Sequence, residues 1–167
     1  SSSEDLEYVS LPPPFFNSRG RITPLMIRSY FMLQQLQCAY AAADLAGVSR
    51  MIQPPNVKLI RMMCTGMVDP QYVIKAFLEG ADGVLISGCH PGDCHYLSGN
   101  YRARRRIALT KKFLEFMGIE PQRFQASWVS ASEGRKFADV VSEVTRGLKE
   151  VGPNRLFTDE RSKPEIN

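Results

Sequence analysis

The segment Gly83–Tyr96, GVLISGCHPGDCHY, joins a short apolar run to a loop rich in cysteine and histidine. The run Gly83 to Ser87 predicts a buried strand of a sheet. The next nine residues, Gly88 to Tyr96, contain two of the four cysteines and both histidines of the chain. Pro91 and Gly92 bend the backbone there, so that soft ligands can converge on one point. This segment predicts a sheet with a metal or iron–sulfur site at the end of one strand.

Strand-like and helix-like segments alternate on both sides of this loop. The predicted strands are residues 29–33, 57–63, 83–87 and 124–129, and the predicted helices are 38–50, 70–80, 99–117 and 133–151. Such an order predicts an α/β fold, a three-layer arrangement of a parallel sheet with helices on both faces. The near-continuous apolar run 57–63 indicates a strand buried on both of its faces.

The chain divides into three parts by composition. Residues 1–37 form an N-terminal arm and lead-in segment, 38–156 a single α/β domain, and 157–167 a polar C-terminal tail. In the arm, a Pro12-Pro13-Pro14 run that favours polyproline II precedes Phe15 and Phe16, and we expect it to lie along a partner. No stretch has the roughly 20 apolar residues of a membrane span. A role at a membrane would require docking on a membrane-associated assembly.

The chain has 21 basic and 17 acidic residues, a net charge of +4 and a pI near 9.0. One dense basic run lies at Arg102, Arg104, Arg105 and Arg106. On a helix these side chains spread over several faces, which favours a solvated or partner-facing surface and no nucleic-acid partner. Four cysteines are too few for a disulfide framework, which indicates a reducing compartment and thiolate ligands.

Cysteines follow several of the predicted strands. Cys38 begins the first helix, and Cys64 and Cys89 end the second and third strands. The carboxyl ends of parallel strands share one edge of the sheet, so these thiols should meet there together with Cys94. Four thiols match the ligand requirement of a [2Fe–2S] cluster or, alternatively, of zinc or another single metal ion. Cys89 and Cys94 also have the C-x4-C spacing of one ferredoxin-type cluster loop.

Other interpretations of the same residues remain open. His90 and His95 could replace a thiolate as metal ligands, or donate to sulfur from outside the ligand set. Cys38 and Cys64 could be small buried apolar residues, as free cysteines often are. Cys64 could also be a nucleophile, but no general base beside it is evident. We therefore expect no catalytic residue, and no enzyme activity of the chain by itself.

Further motifs accompany the Cys/His loop: Cys64-Thr-Gly-Met-Val-Asp-Pro70, Glu79-Gly-Ala-Asp-Gly-Val84 and Ser98-Gly-Asn100. Together with residues 41–51 and 128–134, the chain resembles the methyl-viologen-reducing hydrogenase delta-subunit family over roughly residues 38–156. This resemblance implies an α/β domain with a [2Fe–2S] cluster held by Cys38, Cys64, Cys89 and Cys94. It also implies that the domain passes electrons inside a multi-subunit complex and has no substrate site of its own.

The chain departs from the family pattern in one place. Family members usually have a C-x-x-C pair entering the first helix, whereas Gln34 and Gln35 precede Cys38 here. The N-terminal extension, the missing Met and the basic pI predict an accessory subunit of mitochondrial respiratory complex I (NADH:ubiquinone oxidoreductase) on the matrix side of the inner membrane. The alternatives are a cytoplasmic [2Fe–2S] electron-relay subunit of a hydrogenase or heterodisulfide reductase-type complex, and a structural scaffold subunit whose metal site has decayed.

Overall fold

The computed structural model describes residues 30–35 and 38–157 of the chain. Within these residues, strands and helices alternate in one mixed α/β domain, as the sequence predicts: β1 (Tyr30–Gln35), α1 (Ala39–Val48), β2 (Val57–Met62), α2 (Pro70–Leu78), β3 (Gly83–Gly88), α3 (Gly99–Phe116), β4 (Phe124–Trp128) and α4 (Gly134–Val151). Single turns of 3-10 helix lie at Thr65–Met67 and Pro121–Arg123. The predicted element types are confirmed, with boundaries that differ by one or two residues.

The four described strands form one parallel sheet in the order β2-β1-β3-β4. Tyr30 pairs in register with Val57 on one side and with Gly83 on the other, and Val84 pairs with Phe124. The carboxyl ends of all four strands therefore lie at one edge of the sheet. All six residues of β3 are buried, which explains its apolar sequence.

The prediction that β2 is buried on both faces is wrong. In the observed order β2 is an outer strand with a sheet neighbour on one side, among the described residues. Leu59, Ile60 and Arg61 are exposed there. An apolar run does not distinguish a central strand from an outer one, because the strand order is set by the crossover connections and not by local composition.

Two apolar clusters enclose the sheet. One combines Leu85 of β3 with buried residues of α1 and α4, including Ala46 and Phe137. The other combines Val84 and Ile86 of β3 with buried residues of α2 and α3. Alternate residues of β3 thus enter different clusters, as the period of two in a strand requires. The finer three-layer arrangement stays a prediction.

The predicted helix ends are also observed. Asp69 Oδ1 accepts a hydrogen bond from Gln71 N–H at 2.9 Å, and Pro70 occupies the first helical position of α2. Gly118, with φ +90°, follows the end of α3 in a conformation that side chains other than glycine rarely adopt. The Asp69 cap marks where the loop between β2 and α2 ends at the carboxyl edge of the sheet, and Gly118 marks the end of α3 at the opposite edge.

Parts of the predicted domain organisation lie outside the described residues. The N-terminal arm, with Phe15 and Phe16, and residues 158–167 of the tail belong to this group. Over the described ranges, no helix is long and apolar enough to cross a membrane.

Candidate metal centre

The loops at the carboxyl edge of the sheet bring all four cysteines together. Cys38 lies three residues after β1 and directly before α1, Cys64 two residues after β2, and Cys89 one residue after β3. Cys94 follows in the loop between β3 and α3. Cys64, Cys89 and Cys94 are buried and Cys38 is half-buried, and the four thiols form one cluster without disulfides. The structure thus unites the thiols whose convergence the topology predicts.

The spacing of two of these thiols suits a shared metal. Cys64 Sγ and Cys94 Sγ lie 3.9 Å apart. Two thiolates bound to one tetrahedral metal at about 2.3 Å would lie about 3.8 Å apart. The Cys89 side chain interacts with the side chains of both Cys38 and Cys94. The four thiols therefore form one connected cluster.

The Cys94 thiol lies at the N-terminus of α3. Burial raises its pKa, but the backbone N–H groups of Asn100, Tyr96 and Gly99 lower it more, so the pKa lies below its ordinary value. The first N–H groups of a helix have no partner inside the helix and favour an anion. The backbone N–H groups at the start of α3 thus stabilise the thiolate form of Cys94.

The other three thiols have raised pKa values. Burial raises the pKa of Cys38 and of Cys64. Burial, with the nearby Cys94 and Cys38, raises the pKa of Cys89 to about 12. Close buried thiols cannot all ionise unless a cation replaces their protons, which is what a metal centre provides.

Two glycines allow the loops to pack closely against the thiols. A Cβ atom at Gly99 would overlap Cys64 Sγ and lie 3.2 Å from Cys94 Sγ. A Cβ atom at Gly66 would lie 2.8 Å from the carbonyl oxygen of Gly99. Gly66 N–H also donates to Cys64 Sγ at 3.4 Å. The start of α3 and the turn after Cys64 can approach this closely only because both residues lack a side chain.

Arg106 of α3 is hydrogen-bonded to the turn that follows Cys64. Its Nη1 donates to the carbonyl oxygens of Gly66 at 3.1 Å and of Val68 at 2.9 Å. Arg106 is half-buried, whereas its neighbours Arg104 and Arg105 are exposed. One arginine of the predicted basic surface is therefore internal and holds the loop that carries Cys64.

We expect Arg106→Met to destabilise the chain by about 1.5–3 kcal/mol, because two carbonyl groups lose a charged donor. Urea unfolding of the purified chain measures this change. Arg105→Met is the matched control, since it removes an exposed arginine of the same helix, and it should change stability by less than about 0.5 kcal/mol. Equal effects of the two substitutions would contradict the role of Arg106.

His90 connects the Cys/His loop to the segment after β4. Its Nε2–H donates to Glu133 Oε2 at 2.7 Å, and the same carboxylate oxygen accepts from Ser130 N–H at 2.8 Å. The Ser130 N–H and the His90 side chain lower the pKa of Glu133 to about 2. The His95 ring lies edge-on to Tyr96, with ring centroids 5.3 Å apart. A ligand role for either histidine stays a prediction.

The buried side chain of Asn100 is hydrogen-bonded to the Cys/His loop. It is fully buried in the first turn of α3, and its Nδ2 donates to the carbonyl oxygen of His90 at 2.6 Å. The same group lies 3.8 Å from Cys89 Sγ, within hydrogen-bonding distance of sulfur. Asn100 therefore orients both the loop and one thiol, a role that partners of metal ligands often have.

The supporting role of four of these residues was not predicted from the sequence. Gly99 and Asn100 belong to the Ser98-Gly-Asn100 motif and Glu133 to the 128–134 motif, so their motifs were a usable signal. Arg106 had no such signal, because its neighbours in sequence are also arginines. Only the packing of α3 distinguishes it from them.

The number and type of the donors are compatible with an iron–sulfur cluster. Among the residues that the structure describes, no three Cys, His, Asp or Glu side chains are arranged to hold one metal ion. A [2Fe–2S] cluster has two irons, and each iron is bound by two protein thiolates, so the four protein ligands of the cluster form two pairs. The buried cluster of four thiols can supply two such pairs, and Gly99 allows the start of α3 to pack directly against the Cys64 sulfur.

Comparison with known proteins identifies relatives over most of the domain. The model of the family "methyl-viologen-reducing hydrogenase, delta subunit" matches residues 32–152. The vhc iron–sulfur subunit of the F420-non-reducing hydrogenase of Methanococcus voltae is 49% identical over 119 residues, covering 71% of this chain and 83% of the relative. The iron–sulfur subunit of the F420-non-reducing hydrogenase of Archaeoglobus profundus is 49% identical over 116 residues, covering 70% and 85%.

A third relative is a longer protein. It is a subunit of the ferredoxin/F(420)H(2)-dependent CoB-CoM heterodisulfide reductase of Methanosarcina acetivorans, and it is 42% identical over 116 residues. The match covers 70% of this chain but 15% of the relative. The domain therefore has relatives both as separate subunits and as a segment of a larger one.

These relatives correct the predicted biological setting. They are archaeal proteins, and archaea have no mitochondria. The predictions of a mitochondrial location, a respiratory chain and complex I are therefore wrong. They rested on the basic pI, the N-terminal extension and the missing Met, and none of these features carries information about a particular complex. The predicted family resemblance is confirmed.

Proposed function

Because the chain belongs to the methyl-viologen-reducing hydrogenase delta-subunit family, we propose that it is the electron-relay subunit of a hydrogenase or heterodisulfide reductase-type complex. The relatives that support this proposal are named as iron–sulfur subunits of hydrogenases and as part of a heterodisulfide reductase. In this proposal the chain has no catalytic residue and works in the cytoplasm, inside an oxidoreductase complex.

The proposed ligands are Cys64 and Cys94 for one iron, and Cys38 and Cys89 for the other iron, of a [2Fe–2S] cluster. Such a cluster, when bound, accepts and donates one electron. The residues of the chain hold the four thiols together, supply backbone N–H groups to Cys94 and exclude water by burial. Hydrogen bonds to sulfur and low exposure are the protein's means of adjusting the potential of such a centre.

The observation that carries the proposal is the 3.9 Å separation of Cys64 Sγ and Cys94 Sγ inside a buried cluster of four thiols. The two cysteines are 30 positions apart in sequence, so local chain geometry does not bring them together. A core of ordinary buried cysteines would not need the glycine at position 99 or the donors that surround Cys94.

The long heterodisulfide reductase relative supports the proposed setting. A domain that occurs both separately and within a larger protein is expected to work beside the rest of that protein. The proposed partners are therefore a hydrogenase and a heterodisulfide reductase-type protein.

Iron, acid-labile sulfide and zinc analysis of protein purified without oxygen tests the proposed cofactor. We expect about two irons and two sulfides per chain, and an electron paramagnetic resonance signal after reduction. Zinc without sulfide would make the centre structural, because zinc has no redox chemistry. Neither metal in a folded chain would favour a scaffold role.

A further inference from the structure

Helix α3 is much more basic than its counterpart α4. Both helices have 18 residues. In sequence, α3 has six basic residues and the single acidic residue Glu115, whereas α4 has four basic and three acidic residues. Within the part of the chain that the structure describes, no ion pair involves a cation of α3. The positive charge of the domain is thus concentrated on one helix without compensation.

The outer side of α3 also exposes large apolar side chains. We define the α3 face as Tyr101, Arg105, Leu109, Lys112 and Phe116, whose spacing of three or four residues places them in one row along the helix. The exposed fractions are 45% for Tyr101, 67% for Leu109 and 88% for Phe116. A soluble surface rarely arranges such residues in one continuous row unless another molecule covers them.

The α3 face begins one turn after the loop that carries Cys94. Leu97, two residues before α3, is 86% exposed and has φ +63°, a left-handed conformation that is strained for leucine. Its N–H donates to the carbonyl oxygen of Cys94 at 2.9 Å. A partner that covers the α3 face and Leu97 would therefore contact the loop that carries Cys94, a proposed cluster ligand.

We propose that the α3 face binds another oxidoreductase subunit, whose surface presents Asp and Glu side chains around an apolar patch. This inference rests on the proposed function, since it names the surface through which the relay subunit meets its electron partner. The uncompensated arginines and lysines would orient that partner and speed its association, and the aromatic and leucine side chains would supply the buried area.

Two other occupants fit less well. A second copy would bring two basic helices together, and like charges facing each other oppose association. The tail residues 158–167 contain three acidic and two basic residues and are too few to cover a helix of about 27 Å together with the Cys/His loop. The charge of the α3 face therefore favours an acidic partner.

Zero-length carbodiimide cross-linking of the complex isolated from its native host tests the occupant. The reagent joins a lysine to a carboxylate in direct contact. We expect Lys112 to be linked to an Asp or Glu of another oxidoreductase subunit. A link to Asp159, Glu160 or Glu165 of the same chain, a link to a second copy, or cross-links from other lysines with none from Lys112 would overturn the proposal.

Charge reversal provides the second measurement. Arg105→Glu with Lys112→Glu should reduce recovery of the partner subunits with the tagged chain about tenfold or more at low salt. Arg135→Glu with Arg146→Glu is the matched control, because it makes the same charge change at exposed sites of α4 and should retain the partners. Equal recovery with both variants would overturn the proposal.

Iron and sulfide contents separate this inference from the proposed function. The α3 variant should contain as much iron and sulfide as the wild type, because neither Arg105 nor Lys112 touches a thiol in the structure. A wild-type chain without iron would refute the proposed cofactor and leave the cross-linking result interpretable. A normal iron content with cross-links elsewhere would refute the α3 face alone.

Discussion

Replacing Cys94 with serine should leave the chain without its iron–sulfur centre. Cys94 pairs with Cys64 at 3.9 Å, and backbone N–H groups at the start of α3 lower its pKa, so it is the thiol best prepared to bind metal. A serine hydroxyl is a harder and far less acidic ligand than a thiol. We expect iron and sulfide per chain, and the visible absorption of the centre, to fall about tenfold or more.

The control for this prediction is Thr145→Ser, a conservative change at a buried position of α4, which should retain the wild-type iron content. Circular dichroism of both variants shows whether the chain still folds. A folded Cys94→Ser protein with unchanged iron and sulfide would exclude Cys94 as a ligand.

Gly99→Ala should have a comparable effect on the centre through packing alone. Its Cβ atom would overlap Cys64 Sγ and approach Cys94 Sγ to 3.2 Å, so one thiol or the start of α3 has to move. Overpacking of this kind costs about 1–3 kcal/mol of stability. We expect the variant to lose most of its iron and sulfide although all four cysteines remain.

Gly147→Ala is a matched control, since it adds the same methyl group to a helical glycine of α4 with no atom within 4 Å of the new Cβ. It should raise stability by about 0.5–1 kcal/mol, because alanine favours the helix, and leave the iron content unchanged. If Gly99→Ala retains full iron content, the close approach of α3 to the thiols is not required for the centre.

The sequence was sufficient for the element order and for the position of the thiols. Runs such as Gly83 to Ser87, helix starts such as Asp69-Pro70 and stops such as Gly118 are local signals, and the structure confirms them. Parallel strands then place the residues after each strand at one edge, so the convergence of Cys38, Cys64 and Cys89 follows from topology.

Other features depend on contacts that the sequence does not display. The outer position of β2 follows from the strand order, and the internal role of Arg106 follows from the rotation of α3 against the Thr65–Met67 turn. The biological setting was missed for a related reason. Net charge and an N-terminal extension are general properties of a chain, and they do not specify the complex in which the chain works.

The central claim is that electrons pass through the thiol centre, and its redox state during turnover tests this most directly. The complex is mixed with its electron donor, frozen after milliseconds to seconds, and examined by electron paramagnetic resonance. We expect a cluster signal that appears and disappears at the rate of turnover, and we expect both the signal and turnover to be lost in the Cys94→Ser complex. Turnover at the wild-type rate in the Cys94→Ser complex would show that electrons do not pass through this centre.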